Sequence, residues 1–186
     1  MAEDAVCRAR LAEERRELAK GALPVGFSAR PVRLADGSVD MRRWRLGIKP
    51  LAASAYRLPS AGATYNVEVD FPASYPIAPP VARFNPPIFH TNVFPDSGSV
   101  CLSMLLAEGH HGGRVSQHWS ASVTLREVMV ALQTFLEEPN PGSVANAEAC
   151  EMLRKPDGRA QFEKRVKADA LKYEARLAEV MKKAAP

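Results

Sequence analysis

The chain of 186 residues reads as one α+β domain. Three observations predict it. A charged helical segment opens the chain, strands with alternating apolar residues follow in succession, and helical segments with apolar stripes come after a block of prolines. Strands that run together and then give way to helices form an antiparallel sheet covered by helices, not the alternating pattern of a parallel one. The expectation is an N-terminal helix, a four-stranded antiparallel sheet and C-terminal helices.

Residues 5–20 have helical character, with Leu11 and Leu18 seven apart and alanines between them. Glu13, Glu14 and Glu17 alternate with Arg15, Arg16 and Lys20, the pattern of a solvated helix laid on a domain. Gly21 and Pro24 are expected to stop it. Phe27 to Leu34 is the first strand, and Asp36-Gly37 marks a hairpin turn. Trp44, Leu46 and Ile48 then occupy every second position of a strand from Val39 to Ile48. Met41 is out of phase with them, which predicts a bulge near Arg42. Lys49 to Gly62 reads as loop. Tyr65, Val67, Val69 and Phe71 define a half-buried strand.

Phe71 to Pro87 holds six prolines, Pro72, Pro76, Pro79, Pro80, Pro86 and Pro87. Each removes a backbone donor and fixes φ, so a helix is excluded and only a short edge strand near Val81–Phe84 fits. Thr124-x-x-Glu127 is a capping box. Behind it, Leu125, Val128, Met129, Leu132, Phe135 and Leu136 form one apolar stripe that ends at Pro139. A final helix is expected from about Gly158 to Lys183, with Phe162, Val166, Ala170, Tyr173, Leu177 and Val180 on one face.

An apolar fraction of 46% is enough for a real core, and no apolar run approaches a membrane span. The opening residues lack a basic region followed by an apolar one, so no signal peptide is expected. Cys7, Cys101 and Cys150 are too few and too widely spaced for a disulfide framework, which favours a reducing compartment. Net charge is +4 and unevenly spread. Residues 1–50 carry eleven Lys/Arg and seven Asp/Glu, residues 51–158 six and ten, and residues 159–186 eight and four. Basic ends suit an acidic protein partner, and no stripe of alternating basic and aromatic residues points to nucleic acid.

Pro86 to Leu105 carries the chemistry. Pro95-Asp96-Ser97-Gly98-Ser99 is loop-forming, and Cys101 follows it, with His90 and Asn92 upstream. A thiol beside such a loop is open to another molecule, and a carboxamide can donate to an oxyanion. The pair suits acyl transfer through a thioester. Two other readings use the same residues. Cys101 can be a small buried hydrophobe. His90, His110, His111 and His118 lie within 29 residues of one another beside Cys101, but their spacing fits no standard zinc site.

Several motifs together resemble the ubiquitin-conjugating enzymes, in particular the branch that carries SUMO. Phe71-Pro72-x-x-Tyr75-Pro76-x-x-Pro79-Pro80 is similar to the family's proline block. His90-Thr91-Asn92 resembles its His-Pro-Asn, and Val100-Cys101-Leu102-Ser103 its active-site cysteine. Trp119, Thr124 and Glu138-Pro139-Asn140 fall in the family's order. Asp36-Gly37-Ser38 with Trp44, the Cys-Leu-Ser run and Phe162 to Ala168 resemble the SUMO branch. The resemblance implies a conjugating-enzyme fold over residues 1–174 and a helical extension over 175–186. It implies that Cys101 accepts the C-terminal glycine of a ubiquitin-like protein from an activating enzyme and passes it to a substrate lysine. Asn92 would support the oxyanion or organise its loop, and His90 and Ser143 would support the loops. Arg83, Phe94, Ser97, Ser99 and Cys150 would border the groove for the target lysine. Arg15, Arg16 and Lys20 would meet the activating enzyme or a second modifier. Also implied are a ligase partner, a monomer in nucleus and cytoplasm, and no metal or cofactor, since ATP is used by the activating enzyme.

Departures accompany the resemblance. Thr91 replaces the family's proline and is expected to loosen the Asn92 loop. The Asn92–Cys101 loop is one residue longer than usual. Ser143 stands at a common aspartate position, Cys150 at an aromatic one and Val81 at a frequent lysine. The Leu105–His118 insertion is longer than usual. A ubiquitin-specific conjugating enzyme, a silent adaptor that binds a ubiquitin-like protein, and a Cys–His hydrolase remain as alternatives.

Overall fold

A computed structural model describes residues 2–21, 23, 25–106, 119–142 and 144–183. Helix α1 spans Ala2–Ala19 and is followed by strands β1 (Ser28–Arg33), β2 (Val39–Ile48), β3 (Tyr65–Asp70) and β4 (Val81–Phe84). A 3-10 turn at Ser103–Leu105 precedes helices α2 (Leu125–Glu137), α3 (Ala147–Arg154) and α4 (Gly158–Lys183). The sheet is an antiparallel meander in the order β1-β2-β3-β4. The expected α+β architecture is therefore the one observed.

Alternation along the strands divides the sheet into two faces. Trp44, Leu46, Ile48, Tyr65, Val67, Val69, Ala82 and Phe84 are buried on the inner face. The buried stripe of α2 packs over this face, and Phe84 and Phe135 stack with centroids 6.5 Å apart. Each Leu or Phe buried in this way contributes about 1.5–3 kcal/mol. Thr124 caps α2 as expected: its side chain accepts the Glu127 N–H, and Glu127 accepts the Thr124 N–H.

The bulge also falls near Arg42. Pro31 pairs with Trp44 but Val32 pairs with Asp40, so Met41, Arg42 and Arg43 are the surplus residues. The Trp44 indole N–H donates to Met41 O at 2.8 Å and holds the bulge in shape. Arg42 O accepts the Phe71 N–H, which fastens the start of the proline block to the same place.

Two elements differ from the sequence expectation. Helix α1 is not solvated at Glu14, whose side chain is only 5% exposed. Its Oε1 accepts from Arg10 at 2.8 Å and from the Tyr75 hydroxyl at 3.3 Å, and its Oε2 accepts the Leu125 N–H at 3.1 Å. Cys7, Leu11 and Glu14 thus form the inward face of the helix. Helix α3 had no expected counterpart; Asn146 caps it by accepting the Ala149 N–H.

Helix α4 continues unbroken past Tyr173. The Tyr173 ring lies 4.6 Å from that of Tyr65, and its hydroxyl oxygen accepts the Asn66 N–H of β3 at 2.8 Å. Further along, Leu177 packs on the core margin and Met181 meets Arg45 on the outer side of β2. No helix among the described residues is long and apolar enough to cross a membrane.

Candidate active site

The site is built on a hairpin appended to β4. Val93 bridges Val100, the Phe94 N–H donates to Ser99 O, and the Cys101 N–H donates to Asn92 O at 2.8 Å. That register makes Asn92 and Cys101 direct cross-strand neighbours. The tip is Pro95-Asp96-Ser97-Gly98. Gly98 closes it at φ +70°, and a Cβ there would stand 2.0 Å from Phe84 O. Glycine is required by both the backbone angle and the close approach. The hairpin docks on β4 through Phe84 N–H to Gly98 O and Val100 N–H to Ala82 O. Cys101 leaves this scaffold half-buried, with its thiol not in a disulfide.

Asn92 is buried, and its carboxamide pairs with the backbone of Asn140. Oδ1 accepts the Asn140 N–H at 2.9 Å and Nδ2 donates to Asn140 O at 2.8 Å. Oδ1 also accepts the Thr91 hydroxyl at 2.8 Å. Thr91 was expected to loosen this loop, yet it adds a bond to it. Its carbonyl accepts the N–H groups of Ala145 and Asn146.

His90 holds the loop from beneath. Nδ1 accepts the Asn92 N–H at 3.0 Å, so the ring proton resides on Nε2, which donates to Phe135 O at 2.9 Å. The ring stacks on Phe135 with centroids 4.2 Å apart. Burial lowers its pKa from 6.5 to about 3, so the imidazole is neutral and structural.

Of the other expected site residues, four gather at the hairpin. Arg83 lies on β4, bridges Ser99 through its backbone and forms an ion pair with Asp70. Phe94 is 45% exposed at the start of the tip. Ser97 is exposed, and its Oγ accepts the Ser99 N–H. Cys150 does not join them. It is fully buried on α3 with Sγ 3.8 Å from Thr91 O, and burial pushes its thiol pKa up. Helix α3 turns it inward, so it supports the loop from behind and does not border a lysine groove. Ser143 lies outside the described residues, as do His110, His111 and His118. Among the described residues no cluster of three or more His, Cys, Asp or Glu gathers to hold a metal.

Arg15 and Arg16 are exposed on α1, and Lys20 is exposed in the turn just after it. Arg15 and Arg16 line a groove of about 1040 Å³ between α1 and the β1–β2 hairpin, with Arg8, Arg42, Asp40 and Met41. Sequence reasoning missed Asn140, because its contribution is made by backbone atoms and leaves no side-chain signature. It also passed over the hydroxyl of Thr91 as a donor.

A half-buried thiol on a hairpin, beside a carboxamide, is the arrangement of a cysteine acyl carrier. The chain belongs to the ubiquitin-conjugating enzyme family: residues 10–170 match that family's model, and with it the chain is a transferase. It is 36% identical over 172 residues to "SUMO-conjugating enzyme UBC9" of Caenorhabditis elegans, covering 92% of this chain and 94% of that protein. It is 34% identical over 168 residues to "Sumo-conjugating enzyme ubc9" of Dictyostelium discoideum, covering 90% and 96%. The solved structure titled "Novel Ubiquitin-Conjugating Enzyme" superposes with a TM-score of 0.65 at 26% identity, covering 86% of this chain and 92% of that one. The fold is thus the conjugating-enzyme fold.

Proposed function

We propose that this enzyme conjugates SUMO, with Cys101 as the acyl carrier. The observation that carries the chemistry is the pairing of the Cys101 N–H with Asn92 O, which seats the thiol on the rigid hairpin next to the carboxamide. The names and extensive coverage of the two relatives support SUMO as the modifier.

The reaction has two acyl transfers. The Cys101 thiolate attacks the thioester between SUMO and the activating enzyme, a C–S bond forms at Cys101, and the activating enzyme's thiolate leaves. A deprotonated substrate lysine then attacks the Cys101 thioester. The C–N bond forms, the C–S bond breaks, and Cys101 departs as thiolate, which takes up the proton the amine releases. A thioester is activated enough that the enzyme's main tasks are orientation and a donor for the oxyanion. Asn92 serves the second task in this reading, and His90 keeps its loop in place. Arg83, Phe94, Ser97 and Ser99 border the approach of the lysine. Ser143 supplies no carboxylate to orient that amine. Arg15, Arg16 and Lys20 receive the activating enzyme or a second modifier at the α1 groove. The enzyme acts as a monomer with a ligase in nucleus and cytoplasm, and needs no cofactor of its own.

The test is a charging assay with activating enzyme and ATP, run with SUMO and with ubiquitin side by side. A reductant-sensitive adduct with SUMO at Cys101 is expected. An adduct with ubiquitin alone makes the enzyme ubiquitin-specific, and none with either removes the conjugating role.

A further inference from the structure

We propose that Thr91 is a positioning residue for acyl transfer, acting through the hydrogen bond from its hydroxyl to Asn92 Oδ1. The proposal rests on the reading of Cys101 and Asn92 given above. Thr91 and Asn92 together clamp the backbone at Asn140 and at Ala145–Asn146. Asn92 takes the N–H and the carbonyl of Asn140 with its two carboxamide poles. Thr91 takes the N–H groups of Ala145 and Asn146 with its carbonyl. The Thr91 hydroxyl joins these two clamps at 2.8 Å and is itself fully buried.

The orientation follows from the inventory of donors and acceptors. A carboxamide oxygen has two acceptor sites. The Thr91 O–H and the Asn140 N–H fill both on Oδ1. Turning the amide over would set its NH₂ against the Asn140 N–H, donor against donor. The donor pole therefore keeps one direction while charge develops on the thioester oxygen, and a preorganised donor stabilises that charge without reorganising. Where the family's proline stiffens the chain through its ring, Thr91 supplies a hydroxyl and a β-branched side chain with restricted χ1.

The experiment measures single-turnover discharge of the preformed Cys101 thioester to a lysine acceptor. Thr91→Val keeps the shape and removes the hydroxyl, while Thr91→Ser keeps the hydroxyl. Thr91→Val is expected to slow discharge by about threefold to tenfold, the factor one buried hydrogen bond is worth. Thr91→Ser is expected to restore most of the rate. In an Asn92→Ala background Thr91→Val is expected to have no further effect, because the hydroxyl then has nothing to orient. NMR of the Asn92 side-chain amide gives a second readout: its signals should broaden or shift in the valine variant and not in the serine variant. Equal discharge by wild type and Thr91→Val, or an equal loss in both backgrounds, overturns the inference and leaves the conjugating role standing. A wild-type chain that takes no modifier at Cys101 overturns the conjugating role and this inference with it.

Discussion

His90 and Asn92 share a hydrogen bond in which the ring nitrogen Nδ1 accepts the Asn92 N–H at 3.0 Å. This works only with a neutral ring whose proton is on Nε2. Protonation of Nδ1 would set two donors against each other in a buried space. The depressed pKa, about 3 against an ordinary 6.5, means that the folded protein resists protonation more than the unfolded chain does. The stabilisation is therefore complete above pH 6.5 and is lost as pH falls toward 3, on the order of 5 kcal/mol across the range. Urea midpoints measured from pH 7 to pH 4 should fall, and His90→Gln should fall less steeply. Parallel profiles would mean that other groups cause the loss.

Cys101 is the half-buried thiol, whereas Cys7 and Cys150 are buried. Intact-mass analysis after charging should show one adduct per chain in wild type, Cys7→Ala and Cys150→Ala. Cys101→Ser should give an ester that survives reductant, because the hydroxyl replaces the thiol as nucleophile. A second modifier attached elsewhere would contradict a single carrier.

Gly98→Ala is expected to damage the hairpin. The new methyl would overlap Phe84 O, and φ +70° disfavours any side chain. A loss of about 1–3 kcal/mol in unfolding free energy is expected, together with slower charging. A variant as stable as wild type would show that the tip relaxes freely.

Glu14→Ala should cost about 3–5 kcal/mol in chemical denaturation, the loss typical of breaking a buried ion pair. It leaves Arg10, the Tyr75 hydroxyl and the Leu125 N–H without their shared acceptor. Glu14→Gln should cost less, since one carboxamide oxygen remains. A change within about 0.5 kcal/mol, as at an ordinary surface position, would return Glu14 to the solvated face.

Arg15→Glu with Arg16→Glu reverses two charges at the α1 groove. Charging should slow several-fold, and the deficit should shrink as salt rises, because exposed charges are screened within about 10 Å at 0.1 M. The circular dichroism spectrum should not change. Unaltered charging at low salt would place the activating enzyme's contact elsewhere.

Local rules made much of the fold readable. The spacing of Leu125 to Leu136 and the Thr124–Glu127 box mark α2 because both act within one helix. The out-of-phase Met41 exposed the bulge for the same reason. Glu14 was misread because two of its partners, Tyr75 and Leu125, are 61 and 111 residues away, and the charges around it on α1 have the period of a solvated face. Helix α3 is only eight residues long and follows a Pro-Gly stretch, so its apolar period is too brief to stand out. In the site, Cys101, Asn92 and His90 were legible as residue types in a loop-forming context. The geometry that orders them was not: Asn92 pairs with peptide groups of Asn140, which any residue except proline would offer.

The docking of the hairpin on β4 has a bearing on solubility. β4 presents backbone donors and acceptors along its outer edge, and Val81 on it is 54% exposed. An uncovered edge of this kind is a template for pairing with a strand of another molecule. Gly98 O and the Val100 N–H occupy the Phe84 and Ala82 positions of that edge. The segment that presents the thiol therefore also shields the sheet from self-association, and a substitution that unseats it would be seen first as aggregation on concentration.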